Sequence, residues 1–245
     1  MRYIKGFLMA WGCFCRIPCP YRGWEEDNRY AMLNMFPLIG TALGVLVGVI
    51  WWLLSLLGVS SLLTGALLTF SYFWMTGFIH LDGFMDCCDA VLSRREQARR
   101  REILKDSHVG SFAVICLVLL AMAGYSVWSC PARPEKLWAL PLVCAGVRCV
   151  SAGAVLGLKP LDTSGYRDLV RSGGAVAAAC VLAAVSVGLG MLLSGRGFLP
   201  PAAAVMAAAV TVFSLRRNLG GMCGDISGAA ITLGELAGSA AVLLL

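Results

Sequence analysis

The chain has 245 residues, of which 59% are hydrophobic and only 14% charged, and its formal net charge is +6. Soluble domains carry about 25% charged residues, so this composition excludes an ordinary soluble enzyme and points to an integral membrane protein.

In chain order, residues 1–35 form an N-terminal segment. Its opening, "MRYIKGFLMAWGCFCRIPCP", has a basic start, a short apolar run and no small-residue cleavage site. That pattern predicts an interfacial helix ending at Pro18 rather than a signal peptide. A bilayer core takes roughly 20 apolar residues per helix, and seven stretches approach that length: 36–58, 62–81, 110–130, 137–158, 175–194, 199–215 and 228–245. The sixth opens on Pro200 and Pro201, which a first helical turn tolerates. The runs are continuous rather than alternating, which argues against a β-barrel. The expected fold is therefore all-α: a polytopic membrane bundle of about seven transmembrane helices, forming a single membrane domain over 1–245.

Cys116, Cys130, Cys144, Cys149 and Cys180 lie in or beside the spans and read as small apolar residues. Cys13, Cys15 and Cys19 lack zinc-site spacing. Cys87 and Cys88 read as spacers in an acidic motif.

Seven spans place residues 1–35 on the same side as three polar connections, at 82–109, 159–174 and 216–227. This side carries 16 Lys and Arg residues against 3 on the other, with Arg148 inside a span. The excess assigns it to the cytoplasm, as expected of a multi-pass protein of the cytoplasmic membrane. Positive-inside charge is general and does not identify a substrate. A basic face nevertheless suits anionic headgroups or a phosphorylated substrate.

The connection 82–109 has the character of a catalytic loop. "HLDGFMDCCDAVLSRREQARRREILKDSHVG" (80–110) gathers 6 of the 14 acids and 6 of the 20 basic residues. Asp82, Asp86 and Asp89 recur at i, i+4 and i+7, within an arc of roughly 60° on a helix. Such carboxylates repel one another unless a cation lies between them, and magnesium takes carboxylate, phosphate and water oxygens. Asp106 follows in "KDSHVG", where a second helix would return it to the first three. The expected chemistry is metal-assisted phosphoryl transfer, with two ions roughly 4 Å apart. The arginines of the stretch between, Arg94, Arg95, Arg99, Arg100 and Arg101, with Lys105, would hold phosphate oxygens. His80 is a candidate base for an incoming hydroxyl. The plain alternative is a solvated loop in which Asp82 or Asp106 caps a helix.

Two further features bear on the site. The Gly-rich connection 216–227, within "RRNLGGMCGDISGAA", offers Arg217, Asn218 and Asp225 just before a helix, an arrangement suited to anions. Asp225 or Ser227 as a helix cap is the competing reading. Arg148 and Glu235 lie inside spans, where charges are either paired or functional.

These motifs resemble the cobalamin synthase family (adenosylcobinamide-GDP ribazoletransferase) over nearly the whole chain. "RIPCP" (16–20) and "FPLIG" (36–40) resemble its early elements, and "GFIHLDGFMDCCDA" (77–90) its His-Leu-Asp-Gly-x-x-Asp-x-x-Asp-Gly core. "EILKDSHVGSF" (102–112) resembles its Lys/Arg-Asp-x-x-x-Gly element, and "RRNLGGMCGDISGAAITLGEL" (216–236) its C-terminal signature. Ala90 replaces the family glycine and His108 the family arginine. The resemblance implies that a hydroxyl of α-ribazole, or of its 5′-phosphate, attacks the cobinamide-side phosphate of adenosylcobinamide-GDP and releases GMP. It implies Mg2+ as cofactor, with Asp82, Asp86, Asp89 and Asp106 as ligands. It places Arg95, Arg99 and Lys105 on the diphosphate, and Arg217, Asn218 and Asp225 at the far edge of the site. Small-molecule substrates and membrane lipid are the expected partners, and nucleic acid is not.

Two rival readings remain. A CDP-alcohol phosphotransferase of phospholipid synthesis uses similar chemistry, but its Asp-Gly-x-x-Ala-Arg opening is here Asp-Gly-Phe-Met-Asp, and Gly110 stands where its last acid belongs. A transporter would need intramembrane acids and internal repeats. Of the acids, only Glu235 lies in a span, and no repeat is evident.

Overall fold

The computed structural model describes residues 1–19, 21, 23–131, 133–162, 164–169 and 173–245. The helices are α1 (Arg2–Phe14), α2 (Arg29–Leu56), α3 (Ser61–Met75), α4 (Ile79–Leu92), α5 (Gln97–Ile103), α6 (Ser111–Trp128), α7 (Ala139–Gly157), α8 (Gly173–Leu193), α9 (Leu199–Leu219) and α10 (Gly224–Val242). Among the described residues there is no strand, only a bridge between Pro160 and Met222. The all-α bundle expected from composition is what forms.

The span count differs from about seven. Among the described residues, five helices are long and apolar enough to cross a bilayer, and a sixth crossing exists only if α3 and α4 count as one. The expected span 62–81 is broken: α3 stops at Met75, and α4 leaves it at 91°. Gly77 and Phe78 both adopt positive φ, +61° and +63°. Glycine does so freely, whereas a phenylalanine is held there against steric preference. Consequently α4, with its acids, runs across the direction of α3. The expected last span, 228–245, belongs to α10, which is not among the five. Surrounded by α4, α7 and α9, α10 faces protein rather than lipid. Its sequence of glycine, alanine, serine and two acids reflects that burial. Elsewhere α2 starts at Arg29, within the expected N-terminal segment, and Pro200 and Pro201 occupy the first turn of α9 as expected.

The centre of the bundle is held by a buried ion pair. Arg148 of α7 donates through Nη1 to Glu235 of α10 and to the Cys144 carbonyl at 3.0 Å. Its guanidinium lies over the Phe36 ring of α2, 5.4 Å from the centroid. The two charged side chains are 0% and 2% exposed. The sequence left Arg148 open between a pair with Glu235 and a place among the substrate- and phosphate-binding residues. The structure shows the pair, with the charge of Arg148 neutralised inside the protein, away from solvent and from any phosphate.

Removing one partner of such a pair strands the other charge, at a cost of about 3–5 kcal/mol. Glu235→Ala should therefore lower unfolding stability in detergent by that amount. The double variant Arg148→Met/Glu235→Leu should recover most of it. Equal destabilisation by the single and double variants would show that the pair is not the source.

Candidate active site

The site grows from the seam between α4 and α10. On α4, the i, i+4, i+7 spacing puts Asp82, Asp86 and Asp89 on one face. On α10, Asp225 sits in the first turn, where the positive end of the helix dipole favours an anion. The two backbones touch. A Cβ on Gly83 would lie 2.7 Å from Asp225 Cα, and one on Gly228 would lie 2.9 Å from the His80 carbonyl oxygen. Thr232 Oγ1 also donates to that carbonyl, at 3.3 Å. Residue 83 thus meets 225, and residue 80 meets 228 and 232, so the helices cross antiparallel. Asp82, Asp225 and Asp89 are the charged neighbours of Asp86, and Asp82 is also a charged neighbour of Asp225.

Sequence alone put Asp225 at the edge of the site; the seam puts it beside Asp82 and Asp86. Among the described residues, none of these three carboxylates makes an ion pair with Lys, Arg or His.

The other two acids are placed differently. Both oxygens of Asp89 accept backbone N–H groups at the start of α6, from Gly110 at 2.7 Å and Ala113 at 2.9 Å. Asp89 therefore ties α4 to α6. Asp106 is exposed and turned to His108, accepting from its N–H at 3.0 Å with the ring at 2.6 Å. The His108 backbone N–H first, and its ring second, hold the Asp106 carboxyl below its usual range. Asp106 is not among the charges acting on Asp86.

His80 does not face the acids. Its ring is buried between Phe14 and Phe36, with both centroids at 6.0 Å. The physical reason is the helical period: two residues from Asp82, the side chain points to the opposite face.

Of the expected phosphate ligands, Arg95, Arg99, Lys105 and Arg217 are exposed. Arg99 is paired with Glu102. Asn218 is engaged internally, its amide donating to Ser214 O at 2.9 Å and its oxygen accepting from Arg100 at 2.6 Å.

Arg100 and Arg101, expected with the other arginines of this stretch to hold phosphate, are instead turned to the end of α9. Arg101 Nε donates to Leu219 O at 2.6 Å, and Gln97 reaches the carbonyls of Arg217 and Asn218 at 3.4 Å. Short α5 thus covers the carbonyl end of α9, where cationic side chains are favoured. The sequence reading passed over Tyr166, in the connection after α7. A Cβ on Gly224 would lie 3.8 Å from its ring.

Asp82, Asp86 and Asp225 offer only hard oxygen donors and have no cationic partner among the described residues, which is the chemistry a divalent cation seeks. Among the described residues, no three Asp, Glu, His or Cys side chains converge closely enough to hold an ion as they stand. The donor set fits such a cation by type and charge, and rotation of the carboxylates would be needed to close on it.

Residues 6–243 match the family described as cobalamin-5-phosphate synthase. The chain is similar to an adenosylcobinamide-GDP ribazoletransferase of Clostridium botulinum (strain Alaska E43 / Type E3), at 31% identity over 96% of this chain and 95% of the relative. A relative of that name in Acetivibrio thermocellus is 29% identical, over 96% of each chain. Another, in Geobacillus kaustophilus, is 31% identical over 94% and 92%. No solved structure matches the chain.

If the seam is the reactive centre, Asp225→Asn should lower activity as severely as Asp86→Asn, by about 10- to 100-fold or more, the scale at which groups around a metal act. Glu135→Gln, remote from the seam, serves as the control. An Asp225→Asn variant with near wild-type turnover would remove that residue from the centre.

Proposed function

The chain belongs to the cobalamin-5-phosphate synthase family, and we propose that it joins adenosylcobinamide-GDP to α-ribazole, or to α-ribazole 5′-phosphate, with release of GMP. The observation that carries this reading at the level of the site is the set of three uncompensated carboxylates, Asp82, Asp86 and Asp225, brought together where α4 crosses α10. The likeness to the ribazoletransferases over nearly the full chain supports the same reaction.

In that reaction the acceptor hydroxyl attacks the phosphorus on the cobinamide side of the diphosphate. A new P–O bond forms, the bond to the GMP phosphate oxygen breaks, and the hydroxyl proton is lost. Asp82, Asp86 and Asp225 would hold magnesium, which when bound draws negative charge from the diphosphate and improves GMP as a leaving group. Arg95, Lys105 and Arg217 are exposed and, among the described residues, form no ion pair. They are free to hold phosphate oxygens. Arg99 joins them only by giving up Glu102. His80, caged by Phe14 and Phe36, is not placed to take the hydroxyl proton.

The site opens, in this reading, to the cytoplasmic face of the cytoplasmic membrane, as the 16-to-3 distribution of basic residues supports. Residues 93–110 then lie on the cytoplasmic side and residues 194–198 on the other.

Purified protein in liposomes should release GMP only when adenosylcobinamide-GDP, α-ribazole and magnesium are all supplied. CDP-diacylglycerol with glycerol phosphate, serine or inositol should yield no CMP. CMP release without GMP release would replace this reading with phospholipid synthesis. Magnesium binding by calorimetry should weaken in Asp86→Asn, independently of turnover.

Topology has its own check. On a cysteine-free background, Ser107→Cys should resist an impermeant thiol reagent added to intact cells, and Gly195→Cys should react. The reverse pattern would invert the orientation.

A further inference from the structure

Between α7 and α8, residues 158–162 and 164–169 lie against the mouth of the α4–α10 seam. The connection is pinned at its start. Leu161 N donates to Met222 O at 2.9 Å, and Met222 N donates to Lys159 O at 2.8 Å. These bonds lock it to the short link that leads into α10. It then folds into consecutive tight turns, with Ser164 N to Leu161 O and Arg167 N to Ser164 O, both 3.0 Å. Ser164 Oγ accepts the Tyr166 N–H at 3.2 Å. These bonds fix the direction in which Tyr166 leaves the backbone.

A third element holds the ring. Arg29, the first residue of α2, pairs with Glu26 at 3.0 Å and donates through Nη2 to the Gly165 carbonyl. Its guanidinium lies 5.8 Å from the Tyr166 ring centroid. Tyr166 is half-buried, with its edge against Gly224 and Asp225 among its charged neighbours. An aromatic ring, backed by a guanidinium and held by bonds from three parts of the chain, thus stands beside a carboxylate of the candidate centre. No step in the phosphoryl transfer uses it.

We propose that Tyr166, positioned by Arg29, is a specificity-determining platform on which a planar nitrogen heterocycle of a substrate stacks beside the reacting phosphate. This inference rests on the ribazoletransferase reading, in which each substrate carries such a ring: guanine on the donor, and the base of the ribazole on the acceptor. Tyrosine rings and arginine planes are the side chains on which bases stack, whatever their hydrogen-bonding pattern. The location is suitable, because a ring held beside Asp225 brings its attached ribose and phosphate to the seam. Tyr166 touches no reacting atom and is a positioning residue.

The test compares Tyr166→Leu, which keeps apolar bulk but loses the π face, with Tyr166→Phe, which keeps it. Steady-state kinetics would vary each substrate in turn. Calorimetry would measure binding of α-ribazole and of GMP to the full-length protein in nanodiscs, where no turnover is needed. Tyr166→Leu should raise KM for one substrate by roughly 5- to 100-fold, the range for loss of one stacked base, with a smaller change in kcat. Tyr166→Phe should stay within about 2-fold of wild type on the same reasoning. Weakened α-ribazole binding with a raised acceptor KM assigns the platform to the acceptor. Weakened GMP binding with a raised donor KM assigns it to guanine.

Unchanged binding and KM in Tyr166→Leu overturn the inference while leaving the reaction intact. Equal losses in the Phe and Leu variants, accompanied by lower thermal stability, also overturn it, since they mark a staple for the connection. A wild-type protein that binds either ring through Tyr166 yet releases no GMP refutes the ribazoletransferase reading instead.

Discussion

Contact between the backbones of α4 and α10 is the constraint on which the rest of the molecule depends. At Gly83 and Gly228 there is no room for a side chain. The contact makes neighbours of acids 139 and 143 positions apart in sequence, Asp86 with Asp225 and Asp82 with Asp225. Behind the seam, Arg148 and Glu235 hold α10 to α7 without spending a charge at the surface. Ahead of it, Asp89 anchors the start of α6. Each of the two helices thus has a structural obligation away from the seam, α10 through Glu235 and α4 through Asp89, while Asp82, Asp86 and Asp225 at the seam keep no cationic partner among the described residues.

Most charges near the seam serve the structure, and three acids do not. Several cations serve the protein's own structure: Arg101 donates to a carbonyl at the end of α9, Arg100 holds the Asn218 side chain, and Arg29 secures the Gly165 carbonyl. Asp82, Asp86 and Asp225 have no such service and no cationic partner among the described residues. Like charges held close in a protein of low dielectric are costly unless something neutralises them. The fold bears that cost at one place, as functional sites commonly do.

Composition and continuous apolar runs were enough to read the all-α membrane bundle, because lipid imposes a simple length rule on helices. The carboxylate face was legible too, since helical period is local information. Other features depend on contacts that no local pattern contains. The break after Met75 sits in an apolar run whose hydropathy gives no warning. Only the Gly77-Phe78 backbone, at positive φ, reveals it. Asp89 looks like its neighbours in sequence, yet its lone pairs are directed to α6. Asp225 read as a cap at the margin because nothing in residues 216–227 says which helix its turn will meet. Arg148 and Glu235 read equally well as a mutual ion pair or as substrate contacts, and only the placement of α7 beside α10 decides for the pair.

The shortness of α3 has a mechanical consequence. Fifteen residues of helix reach about 22 Å, well under the roughly 30 Å of a typical hydrocarbon core. Its companion turns aside by 91° instead of completing the crossing. A bilayer meets such a mismatch by thinning locally or by letting flanking side chains reach outward. The helix that carries the carboxylates thus begins where a helix too short for the bilayer ends.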